Sequence, residues 1–420
     1  MQNKMTNLPQ GWEVKKLEEI ANIKGGKRLP KGKNLLDNNT KFAYIRVADF
    51  QDNGTINLQN IKFINENTYN VLKNYKIYDD NLYISIAGTI GKSGIIPKEL
   101  NGAILTENAV KLEYIQNNIS NKFMYFFTLS NIFKTQIQTS TKIVAQPKLA
   151  ITRLKQIQIP LPPLKEQERI VGILDESFAK IDESIKILEQ NLLNLDELMQ
   201  SALQKAFNPL KDNAKENYKL PQGWEWKSLG EIGNTSSGGT PLRNKKEYWE
   251  NGSIKWLKSG ELNDGYIDFI EENITEEAIE NSSAKIFQKG TLLIAMYGAT
   301  AGRLGILNLD SATNQAVCAF LHKDNKNIKF LEKFLFYFLF FIRDKIIKDS
   351  FGGAQPNISQ TYIKNLQIPL PPLKEQEQIA KHLDFIFEKT KALKELYTKE
   401  LKDYEELKQS LLDKAFKGEL

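Results

Sequence analysis

The 420-residue sequence predicts an α+β fold used twice: two globular domains in a tandem pseudo-twofold repeat, separated by two long antiparallel coiled-coil helices. Three observations predict it. Long segments return in the same order, each copy ends in an amphipathic helical run, and short β-rich stretches with Gly and Asn turns precede each run. The expected boundaries are 1–155 and 211–365 for the globular segments, and 156–210 and 366–420 for the helical ones.

The duplication is read from its anchors. Leu8-Pro9-Gln10-Gly11-Trp12-Glu13 returns as Leu220-Pro221-Gln222-Gly223-Trp224-Glu225, an offset of 212. Ile159-Pro160-Leu161-Pro162-Pro163-Leu164-Lys165-Glu166-Gln167 returns at 209 as Ile368-Pro369-Leu370-Pro371-Pro372-Leu373-Lys374-Glu375-Gln376, and Lys205-Ala206-Phe207 returns as Lys414-Ala415-Phe416. Weaker echoes between them keep the order: Gly91-Lys92 with Gly302-Arg303, Thr106 with Thr313, and Gln146-Pro147 with Gln355-Pro356. Two long units make a pseudo-dimer in one chain rather than a solenoid.

The helical runs follow from spacing. Pro163 suits a first helical position, and Glu166 and Glu168 favour the positive end of the dipole. Val171, Leu174, Phe178, Ile181, Ile185, Leu188, Leu192, Leu195, Met199, Ala202 and Ala206 step by threes and fours, the seam of a helix lying along another. From Pro163 to Phe207 the helix would be about 65–70 Å long at 1.5 Å per residue. The second seam runs through Ala380, Leu383, Phe387, Thr390, Lys394, Tyr397, Leu401, Tyr404, Lys408, Leu411 and Ala415, with three polar positions, and Gly418 marks its end. Two such seams related by a pseudo-twofold pack antiparallel. A surface helix folded onto its own domain is the plainer alternative.

Strands are expected at 41–47 and 81–87, with counterparts at 253–257 and 291–296, and helices near 121–133 and 328–347. The longest apolar run, Phe334–Ile342, is too short for the ~20 residues of a membrane span and reads as a buried helix. With no membrane segment and no signal-peptide pattern at residues 1–6, a cytoplasmic protein is expected.

Charge and motifs narrow the function. Lys and Arg outnumber Asp and Glu by 22 to 12 in residues 1–155, but stand at 5 to 9 in 156–210, 20 to 19 in 211–365 and 10 to 11 in 366–420. A basic first segment suggests a polyanion; a lysine- and asparagine-rich codon bias would give the same count. One cysteine, Cys318, and two histidines leave no cysteine cage or histidine-rich metal site. Gly88-Thr89-Ile90-Gly91-Lys92-Ser93 has two residues between its glycines where a nucleotide loop needs four, so it reads as a tight basic turn. The carboxylates of 261–280 lack calcium-loop spacing and read as a solvated face. No catalytic constellation is recognisable, so a non-enzymatic role is expected.

The candidate contacts lie in glycine-containing loops. Lys24, Lys27, Arg28, Lys31 and Lys33 surround Gly25, Gly26 and Gly32; at the same place the second copy has Thr240, Arg243 and Lys245 after Gly238-Gly239. Glycine permits close backbone approach, and Lys and Arg neutralise phosphates. Lys92 and Arg303 follow matching glycines, and Gln146 and Gln355 precede matching prolines. Gln or Asn can pair with adenine and Arg with guanine. A solvated loop, or a purely structural role, fits each of these residues taken singly.

With these motifs together, the chain resembles a type I restriction–modification specificity subunit. The paired Leu-Pro-Gln-Gly-Trp segments and the paired Ile-Pro-Leu-Pro-Pro-Leu-Lys-Glu-Gln helix starts carry the resemblance. Gly238-Gly239-Thr240-Pro241, Thr313-Asn314-Gln315-Ala316 and Gln355-Pro356-Asn357-Ile358-Ser359 add to it. The first copy departs from that pattern, with Gly25-Gly26-Lys27-Arg28, Thr106-Glu107-Asn108 and Gln146-Pro147-Lys148-Leu149. The resemblance implies that each globular segment is a target-recognition domain for half of a bipartite site in double-stranded DNA. It adds Lys148, Asn314, Gln315 and Asn357 to the candidate contacts. It implies long helices that space the domains and dock two methyltransferase (M) subunits, with restriction (R) subunits joining them. No cofactor is expected on this chain; S-adenosylmethionine, ATP and Mg would serve the partners. A specificity subunit for a fused restriction–methylation enzyme, or a coiled-coil adaptor that binds no DNA, remain open from the residues alone.

Overall fold

A computed structural model describes residues 8–140, 148–207, 220–323, 329–350 and 357–420. The chain divides into two compact units, Met1–Glu189 with Thr398–Leu420, and Gln190–Tyr397. Each unit therefore holds one globular segment and parts of both long helices.

In the first unit, strand Glu13–Lys16 pairs antiparallel with Gln158–Leu161, joining the start of the globular segment to the residues that lead into the long helix. One sheet runs Ala21–Gly25, Ala109–Tyr114, Leu82–Ser85, Ser93–Ile95, all antiparallel. A second sheet runs Lys62–Phe63, Ala43–Ile45, Ala103–Leu105, Lys76–Ile77, with a parallel pair at its centre. Leu82–Ser85 is buried at every position, because one side faces the helices and the other faces the second sheet's core. Helix Asn121–Leu129 starts with the Ser120 hydroxyl accepting from Phe123 N–H at 3.3 Å, and buries Phe123 and Phe127. The expected single helix here is two, Asn121–Leu129 and Asn131–Ser140.

The second unit repeats this arrangement. Glu225–Ser228 pairs with Gln367–Leu370, and Glu225 faces Leu370 as Glu13 faces Leu161. Its larger sheet gains a fifth strand, Gly265–Ile267, parallel to Leu304–Leu307. Asp264 opens that strand at φ 60° and is bound by both terminal nitrogens of Arg343. The apolar run predicted as a buried helix is one: Phe334–Leu339 are buried within helix Glu332–Phe341. No described helix is long and apolar enough to cross a membrane.

The long helices span Leu164–Phe207 and Leu373–Ala415. Pro163 caps the first rather than starting it, its carbonyl accepting from Glu166 and Gln167 N–H. Leu174, Ile181, Leu188, Leu195 and Met199 are buried along the seam, while Val171, Phe178, Ile185 and Leu192 are half-buried. At the seam's end the stripe moves by one residue: Leu203 and Phe207 are buried where Ala202 and Ala206 were expected to be central. There the helix turns its face onto the globular core of the second unit, and Phe207 meets Phe334 and Phe338. Leu412 and Phe416 do the same in the first unit, beside the expected Leu411 and Ala415, with Phe416 against Phe123 and Phe127.

Within the first unit the two helices are antiparallel, since Arg169 donates to the Leu420 carbonyl and Lys408 pairs with Asp182. Within the second, Lys394 pairs with Asp196. The three polar seam positions are thus satisfied: two lysines reach across to aspartates, and the Thr390 hydroxyl donates to the Ile386 and Phe387 carbonyls. Leu383 is buried and Phe387, Tyr397, Leu401 and Tyr404 are half-buried on the same face.

The glutamine that closes each Pro-Pro-Leu-Lys-Glu-Gln motif has a role the periodicity did not reveal. Gln167 is fully buried; its amide donates to the Asn118 and Pro162 carbonyls and its oxygen accepts from Ser120 N–H at 2.8 Å. Gln376 does likewise with the Lys329 and Pro371 carbonyls and Leu331 N–H at 2.8 Å. Each glutamine clasps the start of its long helix to the loop that precedes helix Asn121–Leu129 in one unit and helix Glu332–Phe341 in the other.

Candidate nucleic-acid interface

In the first unit, four backbone segments lie side by side at one end of the sheets. Gly26 N–H donates to the Ala109 carbonyl and Lys27 N–H to that of Leu105; Ile86 N–H donates to the Asn108 carbonyl, and Leu149 N–H to that of Ile86. Residues 25–28, 105–109, 86–88 and 148–149 therefore form one edge. Gly26 is required there, since a Cβ would stand 2.0 Å from the Thr106 carbonyl oxygen. Tyr44, buried beneath, donates its hydroxyl to the Lys27 carbonyl at 2.8 Å.

The expected cations of this unit occupy or flank that edge in different states. Arg28 is largely exposed and bound to Glu107 at 2.6 Å, a contact that raises the arginine's pKa. Burial opposes the charge on Glu107, but hydrogen bonds from Arg28, its own backbone and Thr106 outweigh it and lower the glutamate's pKa. Lys24 pairs with Glu113 at 2.5 Å, and Lys27 lies over the Tyr75 ring. Lys31 and Lys33 are exposed and make no ion pair among the described residues. Lys92 pairs with the fully exposed Asp52 in the expected tight turn, where Gly88 and Gly91 take positive φ. Lys148 is exposed and bridges Ala87.

The second unit builds the same edge. Gly239 N–H donates to the Thr313 carbonyl, Met296 N–H to Ala316, and Ile358 N–H to Met296. A Cβ on Gly238 would lie 2.0 Å from the Thr313 oxygen. Thr240 donates to the exposed Gln315 amide oxygen, and Asn314 turns its side chain inward to accept from Ala316 N–H. Asn357 is exposed and bridges Tyr297; Arg303 is exposed in its turn. Arg243 lies over Trp249 and Trp256 and pairs with Glu272 at 2.7 Å, and Lys245 donates to the Tyr248 hydroxyl at 3.0 Å. Gln146 and Gln355 lie outside the described residues.

Sequence reasoning sought cations and amides and missed the groups that hold them. Glu107 and Glu272 fix arginines, while Tyr44 and Trp256 support the glycine loops from below. Arg46 and Lys258 follow matching strands at the same place, each with its backbone N–H on an acid three residues on, at 2.8 Å. The acidic run 261–280 is not simply a solvated face: Glu272 binds Arg243 and Lys258, Asp264 binds Arg343, and Glu261 caps Lys258.

A twice-built edge of basic and amide side chains fits a ligand with phosphates and base edges. The model of the type I restriction modification DNA specificity domain matches the chain over residues 9–193 and again over 221–403. The chain belongs to that family. The family's DNA specificity domain is a recognition module rather than a catalytic one. The Escherichia coli EcoR124I/EcoR124II specificity subunit is 27% identical over 239 residues, 56% of each chain, so the match spans little more than half of that relative. The Escherichia coli EcoBI specificity subunit is 24% identical over 100% of this chain and 88% of its own. A chain in a solved structure of the type I restriction–modification system shares the fold, with a TM-score of 0.77 at 23% identity over 99% of this chain and 100% of its own. In this family's terms the two matches divide the molecule as the internal repeat does.

Proposed function

We propose that this chain is the DNA sequence-specificity subunit of a type I restriction–modification complex. Each globular unit binds one half of a bipartite target in double-stranded DNA through its glycine-loop edge. Exposed lysines and arginines neutralise phosphates, and amide and guanidinium groups at the edge read bases. The long helices dock two methyltransferase subunits, and restriction subunits join that assembly. The partners supply the chemistry: S-adenosylmethionine for adenine-N6 methylation, and ATP with Mg for translocation and cleavage. A methyltransferase partner turns the adenine out of the stack.

The observation that carries this reading is one backbone edge built twice with different side chains: Lys27, Arg28 and Glu107 in one copy, Thr240, Gln315 and Arg243 in the other. Shared backbone supplies a common docking geometry, and divergent side chains supply two different half-sites. The test is co-expression with the methyltransferase subunit and mapping of methyladenine in host DNA. A split motif with a fixed spacer is expected. A continuous motif, or no methyladenine, overturns the reading.

A further inference from the structure

The strongest unassigned arrangement is the seat of Arg243 in the second unit. Its guanidinium carbon lies 3.8 Å from the centroid of Trp249 and 4.7 Å from that of Trp256. The two indoles meet at 89°, with centroids 5.0 Å apart, so the guanidinium sits in a corner. Both indoles also hold the loop that carries it: Trp256 Nε1 donates to the Gly239 carbonyl at 3.0 Å, and Trp249 Nε1 to the Leu242 carbonyl at 3.1 Å. Nη1 is taken by Glu272 at 2.7 Å, and the other oxygen of that carboxylate is held by Lys258 at 2.7 Å. The arginine side chain nevertheless remains 53% exposed.

These contacts fix the direction of the group without consuming it. Among the described residues one of five donors is engaged and the aromatic corner covers the guanidinium; the other nitrogens form a planar fork of set orientation. A phosphate contact requires none of this. The fork also matches phosphate oxygens, but such a contact only positions the protein on the duplex and carries no sequence information. A guanidinium held on rings and oriented by a carboxylate suits a directional, bidentate partner, and guanine O6 and N7 in the major groove are such a pair.

We propose that Arg243 reads a guanine in the half-site of the second unit, with Glu272 as its positioning residue. The inference rests on the specificity-subunit reading above and names one base contact within it. In the first unit Arg28 has a carboxylate partner but, among the described residues, no ring stacked on it, and the inference does not extend to it.

The test uses the assembled complex of this chain with its methyltransferase subunit. Methyladenine mapping gives the motif, and exchanging residues 220–365 for those of another specificity subunit marks the half-site of the second unit. R243A is expected to relax one guanine position in that half, lowering discrimination there about tenfold to a hundredfold. The other half-site stays intact and serves as the folding control. R243K keeps the charge and should relax the same position, since a lysine cannot form the fork. E272Q should relax it less. A uniform loss of binding across all sequences, with the salt slope lowered by about one, marks a phosphate contact and overturns the assignment. So does an unchanged motif in R243A. Absence of any split motif with the unmodified chain overturns the specificity-subunit reading first, and so separates the two failures.

Discussion

The glycine-loop edges of the two units share a backbone and differ in what supports them. In the first, a buried tyrosine hydroxyl holds the loop, and Arg28 reaches outward to Glu107. In the second, two indoles hold the loop and Arg243 is pressed into the corner between them. The difference teaches that the duplicated fold conserves where the edge stands while leaving open how rigidly each side chain is presented. A largely exposed guanidinium near exposed lysines suits charge neutralisation; one seated between two rings suits direction.

The comparison can be broken most forcefully at what the units share. Gln167→Ala and Gln376→Ala each strand buried backbone groups, and each is expected to destabilise its unit by about 3 kcal/mol. Urea or thermal unfolding checks this, and a loss well under 1 kcal/mol for either would mean the clasp is incidental. Gly26→Ala and Gly238→Ala come next, since both place a methyl against a carbonyl oxygen. About 2 kcal/mol of strain is expected at each, together with lost methylation at targets of that unit's half-site.

Smaller effects sharpen the contrast in support. Tyr44→Phe removes one hydrogen bond and should cost about 1 kcal/mol. Trp249→Ala should cost more, because it removes a ring as well as a bond, and unfolding of the two variants side by side compares them. Arg28→Ala should leave the unfolding midpoint nearly unchanged, since its ion pair is largely exposed. Its effect belongs in DNA binding, where the slope of log affinity against log salt should shrink by about one. An unchanged slope would remove Arg28 from the phosphate contacts.

Acid gives the least effect. Burial opposes the charge on Glu272 as on Glu107, but hydrogen bonds from Lys258 and Arg243 outweigh it and lower the pKa. A carboxyl whose pKa falls on folding adds stability above its unfolded pKa, and loses that contribution as pH falls through the folded value. Both loops should therefore be insensitive to pH near neutrality and weaken only below the ordinary value of 4.5. Unfolding followed from pH 6 to pH 3, with Glu107→Gln and Glu272→Gln as references, measures this; the acid loss should shrink in both variants.

What was legible in the sequence was periodic or repeated. The long helices followed from a heptad seam, and Leu174, Ile181, Leu188 and Leu195 are buried as that spacing requires. The strands were found, though shorter than their apolar runs: Ala43–Ile45 lies inside the expected 41–47. The seam failed at its ends because Leu203 and Phe207 answer to a globular core that no helical period encodes. Two features of the edge were hidden for a related reason. Glu272 lies 29 residues from Arg243 and Glu107 lies 79 from Arg28. An acid that positions a cation has no local signature. Nothing in the sequence ties Trp249 or Trp256 to Arg243; the fold brings the arginine over them.

The first unit is assembled from residues that are far apart in the chain, and synthesis must respect that. Phe123 and Phe127 are covered by Phe416, and Gly418 packs on Pro9 and near Trp12. A ribosome adding ~5–20 residues per second reaches Phe416 roughly 15–60 s after Phe127. During that interval the first globular unit lacks part of its core, and the second unit, Gln190–Tyr397, is synthesised whole before the first is complete. The unit begun first is thus the one finished last, and a ribosome stalled before residue 412 would leave an aromatic surface exposed on it.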